Sequence, residues 1–157
     1  MNPRRMEAEI VRDSLLAVGG QLDSSMGGPE IDVDKSDDSR RRSIYLQHTP
    51  DVPMQFLKTF DSANPTECYE RIESVVPHQA LAMANSKLTR EQARLLAERL
   101  SGEGGPFVAS AFETILGRPP SQAELAAADR FLSTSSPAAR EDFVHVLLNH
   151  NDFVTIR

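Results

Sequence analysis

The chain has 157 residues, 39% of them hydrophobic, and a net charge of −6, which suits one domain with a core of its own. The acidic balance speaks against a nucleic-acid binder, which needs a basic face for phosphates. The single cysteine, Cys68, excludes a disulfide framework within the chain. No apolar run approaches the roughly 20 residues of a membrane-spanning helix, and MNPRRMEAE, with no apolar segment behind its arginines, does not read as a signal peptide.

Arg5 to Val18 reads as a helix. Met6, Ile10, Val11, Leu15 and Val18 form its inward stripe, and Glu7, Glu9, Arg12 and Asp13 lie opposite. Gly19-Gly20 ends it. Residues 21–39 read as an exposed acidic loop, with a turn at Gly27-Gly28-Pro29. Asp32, Asp34, Ser36 and Asp38 alternate as in a calcium loop, but Asp37 and Ser43 stand where the sharp-turn Gly and the bidentate Glu belong. The loop therefore reads as solvated. Arg40-Arg41-Arg42 follows. Such a triplet can hold phosphate or sulfate, or pair with nearby carboxylates. Ile44, Tyr45 and Leu46 are strand-prone.

His48 to Pro53 is a proline-punctuated turn, and Met54 to Phe60 a short helix with Met54, Leu57 and Phe60 inward. Asp61 to Pro65 is loop, and Thr66 to Glu73 is irregular or one helical turn, with Cys68 as an inert thiol. Val75 to Ser86 holds a small central helix opened by Pro77 and packed through Ala80, Leu81, Met83 and Ala84. His78 and Gln79 stand at its start. Thr89 with Gln92 reads as a capping box before the stripe Ala93, Leu96, Ala97 and Leu100. Pro106 opens a helix carrying Val108, Ala111, Phe112 and Ile115, closed by Gly117. Ser121 with Glu124 is a second capping box, leading Leu125, Ala128 and Leu132. Ser136-Pro137 begins the last helix, with Phe143, Val146 and Leu147 inward. The tail Phe153–Ile156 is β-prone and can pair with Ile44–Gln47. The expected fold is mainly α: a bundle of about six short helices with that small two-stranded ribbon.

No catalytic constellation emerges. His145 and His150 are five apart, off the four-residue spacing that puts two ligands on one helix face. No HExxH, GxSxG or Gly-rich phosphate loop is present. The helix pair around Ile115–Ser121 makes a poor DNA reader, since QAELAAADRF carries a single arginine. No catalytic, cofactor-binding or metal-binding residue is assigned.

Five segments together resemble a family. They are RRMEAEIVRDSLLAVGGQLDSSMGGP; RRSIYLQ; PMQFLKTFDSANPTECYERIESVVPHQALAMANS; FETILGRPPSQAEL; and VHVLLNHNDFVTIR. In order and spacing they are similar to the planctomycete-specific domain of unknown function 1553, found in large secreted proteins that often carry a cytochrome-c-like domain. Arg41, Arg42, Tyr45, Gln79, Asn85, Gly117 and Arg118 fall on its motifs. The family transfers no activity and no cofactor.

The resemblance implies a periplasmic or secreted protein. It implies that residues 1–157 form a single unit, the C-terminal part of a larger domain. On that footing Ile10, Val11 and Leu15 should be partly exposed. Arg41 and Arg42 are expected to bond helix ends or carboxylates, and Gln79 and Asn85 to satisfy backbone beneath the ribbon. Gly117 should close a helix, and Arg118 should fold back on its last carbonyls. The expected function is a non-catalytic interaction or scaffold domain. Its partners would be N-terminal domains of the same protein or envelope proteins. The alternative is an accessory part of an envelope enzyme or of a cytochrome-c-linked electron-transfer complex.

Overall fold

The computed structural model describes residues 4–36, 38–47, 54–60, 76–133, 136 and 138–156. Among these lie seven α-helices: α1 (Ala8–Val18), α2 (Gln55–Thr59), α3 (Val76–Asn85), α4 (Lys87–Gly102), α5 (Phe107–Leu116), α6 (Gln122–Leu132) and α7 (Ala139–Leu148). Two short strands, β1 (Arg4–Arg5) and β2 (Thr155–Ile156), and three short 3₁₀ turns complete the elements. The fold is mainly α, as its periodicity predicts. Expectations for His48–Pro53, Asp61–Glu73 and Cys68 fall outside the described residues.

The centre of the core is α4, which packs most extensively on α7 and also against α1, α3 and α5. Its stripe Ala93, Leu96, Ala97 and Leu100 is buried as expected. Its start is different. Ser86, not Thr89, is the N-cap, accepting a bond from the Thr89 N–H at 3.4 Å. Thr89 and Gln92 are wholly buried inside the helix. A single residue, Ser86, separates α3 from α4, so the helix begins early enough to draw both polar side chains inward.

Pro106 caps α5, and Gly117 ends it with φ of 65°, a left-handed conformation that favours glycine. Val108, Ala111, Phe112 and Ile115 face inward. At the start of α6 both halves of the Ser121–Glu124 capping box are formed. This helix lies at the edge: Ala128 is buried, while Leu125 and Phe131 are exposed. On α7, Phe143, Val144, Leu147 and Leu148 face the core. Val146, expected inward, is exposed; Val144 takes that place because α7 presents the 143–144–147–148 face to α4. The rings of Phe107, Phe112 and Phe131 lie 6.1 to 6.4 Å from that of Phe143, tilted as aromatic pairs prefer.

Met54, Leu57 and Phe60 are buried around α2, as their spacing predicts. On α3 Gln79 and Met83 point inward, while Leu81, expected in the packing, is 62% exposed. Val11 and Leu15 of α1 are buried, contrary to a half-exposed stripe; Ile10 is exposed.

The ribbon forms between other partners than expected. β1 pairs antiparallel with β2, Arg4 opposite Ile156 and Arg5 opposite Thr155. The Met6 N–H donates to the Val154 carbonyl at 2.9 Å beside it. Ile44–Gln47 takes no part: Ser43–Tyr45 is a 3₁₀ turn, and Leu46 makes an isolated parallel bridge with Ile31. Phe153 likewise sits in a 3₁₀ turn, Asn151–Phe153. The physical reason is Asp13, whose carboxylate draws the Ser43 N–H and hydroxyl onto α1 and bends the segment. The N-terminal strand is then the free edge that the tail meets.

Candidate functional site

The most constrained polar cluster centres on Arg12, a residue the helical pattern places on the solvent face. It is wholly buried. Its guanidinium donates to the carbonyls of Ser36 at 3.0 Å, Ser39 at 2.7 Å and Arg41 at 3.0 Å, and to the Ser43 hydroxyl at 3.3 Å. A planar guanidinium with five donors suits several acceptors at once. Asp13 stands beside it at 3.7 Å and accepts from the Ser43 N–H at 2.8 Å and hydroxyl at 2.6 Å. Ser36, Ser39, Arg41 and Ser43 are thereby tied over α1. The Ser36 side chain is inside, not solvated, and gives its hydroxyl proton to the Val33 carbonyl.

The arginine triplet radiates from this knot. Arg40 pairs with Glu91 of α4 at 2.8 Å, and Arg42 lies 3.8 Å from Asp13. Arg41 lies over the Tyr45 ring, 3.9 Å from its centroid, and donates to the Gly27 and Pro29 carbonyls. The Tyr45 hydroxyl accepts the Gly27 N–H at 2.8 Å. Arg41 and Tyr45 thus clamp the loop 23–30 from below, with the Asp23–Arg41 bridge at its root. The Asp23 carboxylate accepts the Ser25 N–H at 2.9 Å, which holds its pKa below the ordinary aspartate value. Residues 23–30 are all exposed, Met26 at 92%. Of the alternating calcium-like residues, Asp32 pairs with Lys35 at 3.4 Å.

The other motif residues lie apart. Gln79 is buried next to the true ribbon's end, near Val154. Asn85 is exposed and bonds the Leu81 carbonyl of its own helix at 2.9 Å, not backbone beneath a ribbon. Arg118 does not bond the last carbonyls of α5, although its guanidinium lies over the Phe112 ring of that helix, 5.5 Å from the centroid. It grips Glu124 with two bonds, at 2.7 and 3.0 Å, and reaches Asp152 at 3.2 Å. Those carboxylates are nearer and charged, so they outcompete the helix carbonyls. The grip ties the α6 capping box to the tail. Arg118 first, then the Ser121 N–H, lowers the Glu124 carboxyl to about 2, and Glu124 in turn raises the Arg118 pKa further above its ordinary value.

Arg12, Asp13 and Ser43 were missing from the sequence-based site. One signal for Arg12 was present: Ala8, Arg12 and Leu16 are spaced four apart, and all three are buried.

Among the described residues no group of His, Cys, Asp and Glu is placed to hold a metal ion, and no helix is long and apolar enough to cross a membrane. The model of the family PSD1, a protein of unknown function (DUF1553), matches residues 1–132. The chain belongs to the PSD1 family. The match spans α1 to α6, the Arg12 knot and Arg118, whereas α7 and the tail, including the segment VHVLLNHNDFVTIR, lie beyond it. No curated protein and no solved structure matches the chain.

Proposed function

We propose that this PSD1 chain is a non-catalytic interaction domain that displays the loop 23–30 from a rigid helical body. The observation that carries the reading is where the motif side chains go. Arg41 and Tyr45 hold that loop from beneath, while Met26 stands outward at 92% exposure. Recognition commonly sits on loops positioned by a rigid scaffold. Arg40, Arg42 and Arg118 are engaged by carboxylates of the same chain, so they shape the surface instead of offering a free anion site. The partners are other domains of the same polypeptide or envelope proteins. The exported, planctomycete and cytochrome-c-linked setting comes from the family resemblance.

A photo-crosslinking residue in place of Met26, in the full-length natural protein, tests this. Cross-links into another domain or a second envelope protein are expected. Cross-links confined to the helices of this domain would count against the reading. Turnover of polysaccharide or sulfated glycan that disappears in Arg41→Ala would overturn the non-catalytic part.

A further inference from the structure

Met26 is 92% exposed and is the one large apolar side chain between residues 23 and 30. Its neighbours give it no cover. Ser24, Ser25, Gly27 and Gly28 are themselves exposed, and a methyl on Gly27 would meet nothing within 4 Å. The other described methionines are shielded. Met54 is 7% and Met83 2% exposed, and Met6 is half-buried against the core. The Met83 sulfur also has the Thr89 hydroxyl at 3.9 Å.

An exposed thioether meets peroxide directly, whereas a buried one reacts only when the structure around it opens. Hydrogen peroxide transfers one oxygen atom to the sulfur. The O–O bond breaks, an S–O bond forms, the sulfur loses two electrons and water leaves. The product is a sulfoxide, polar and chiral where the side chain was apolar and flexible. At Met26 that change leaves the loop's anchors alone. Arg41 and Tyr45 hold the loop through the Gly27 and Pro29 backbone, not through the thioether.

We propose that Met26 is a peroxide-sensitive modification site, whose sulfoxide releases the partner of loop 23–30 while the domain stays folded. The release rests on the display-loop reading; the selectivity of the oxidation does not. A partner pocket that takes up an apolar thioether has no donor for the sulfoxide oxygen. Burying that oxygen unpaired opposes docking.

Hydrogen peroxide is titrated onto the whole chain, and each methionine is followed by peptide mass spectrometry. Met26 should oxidise about tenfold or more faster than Met54 and Met83. Oxidation of Met26 alone should move Tm by no more than about 2 °C. Equal rates, or unfolding on oxidation of Met26, overturn the proposal. In the full-length natural protein a photo-crosslinking residue in place of Ser25 reads docking. Peroxide should cut the cross-link yield by about fivefold or more. Methionine sulfoxide reductase with a dithiol should restore it, the dithiol becoming a disulfide as the oxygen leaves in water. Met26→Leu has no oxidisable sulfur, so its yield should not fall with peroxide, whatever its starting level. A fall that persists in Met26→Leu overturns the proposal, because another residue then carries it. A yield indifferent to Met26 oxidation overturns the release and leaves the display loop standing. No cross-link before oxidation overturns both.

Discussion

Arg12 and Arg118 are each held by several partners, but by opposite means. Arg12 is wholly buried and bonded chiefly to backbone carbonyls. Arg118 is about a third exposed and bonded to two carboxylates. A buried cation among carbonyl dipoles has no water to fall back on, so its loss exposes both a void and unpaired acceptors. An exposed cation between carboxylates is screened by salt, and losing it costs little. The same residue type thus builds the fold in one region and trims it in the other.

The largest effect should come from breaking the buried side. Arg12→Met leaves three carbonyls and a hydroxyl without their donor, and urea unfolding should show a loss of about 3 kcal/mol or more. A loss within error of zero would mean the carbonyls find water freely. A second substitution asks whether buried polar packing beside α1 is rigid beyond Arg12. A methyl on Gly19 would lie 1.9 Å from Gln92 Oε1, so Gly19→Ala should cost about 1–3 kcal/mol. Adding Gln92→Ala vacates that space, and a double-mutant cycle should return part of the loss. Strict additivity would show that the two side chains do not meet.

Smaller effects belong to the exposed side. Arg118→Gln should cost no more than about 1 kcal/mol, and its difference from the parent should shrink in 1 M salt. An effect independent of salt would contradict the comparison. The smallest signal is the pH response. The Glu124 carboxyl is lowered from 4.5 to about 2 in the folded chain. Its folded value lies below its unfolded value, so its stabilisation is present above the unfolded value and is lost as pH falls through the folded one. An NMR titration of the Glu124 carboxyl should give a midpoint far below that of an exposed glutamate, and Arg118→Gln should raise it. A midpoint insensitive to Arg118 would remove the assigned cause.

The helical body was legible because its signals are local. The stripe of α4, the Ser121–Glu124 box and Gly117 each follow from residues within one or two turns. The ribbon was not, because its strands lie about 150 residues apart, and two-residue strands carry almost no pattern. Ile44–Leu46 looked strand-like by composition, but Asp13, thirty residues earlier, folds Ser43 onto α1. Arg12 was misplaced for a related reason. A charged residue on a helix is read as solvent-facing, and only the backbone of Ser36, Ser39 and Arg41 lying over it reverses that. Of the motif residues, Arg42 meets the expected carboxylate, while Arg41 grips loop carbonyls and Tyr45 instead.

The central claim is that Arg12 holds the loop to α1, and residue-resolved hydrogen exchange of the parent and of Arg12→Lys tests it most directly. Lysine keeps the charge but lacks the planar fork that serves several carbonyls. The Asp23, Ile31 and Gln47 amides, bonded across the loop at 2.8, 2.8 and 2.9 Å, should lose protection in Arg12→Lys, while Leu96 and Ala97 in α4 keep theirs. Unchanged protection at all three loop amides would contradict the account.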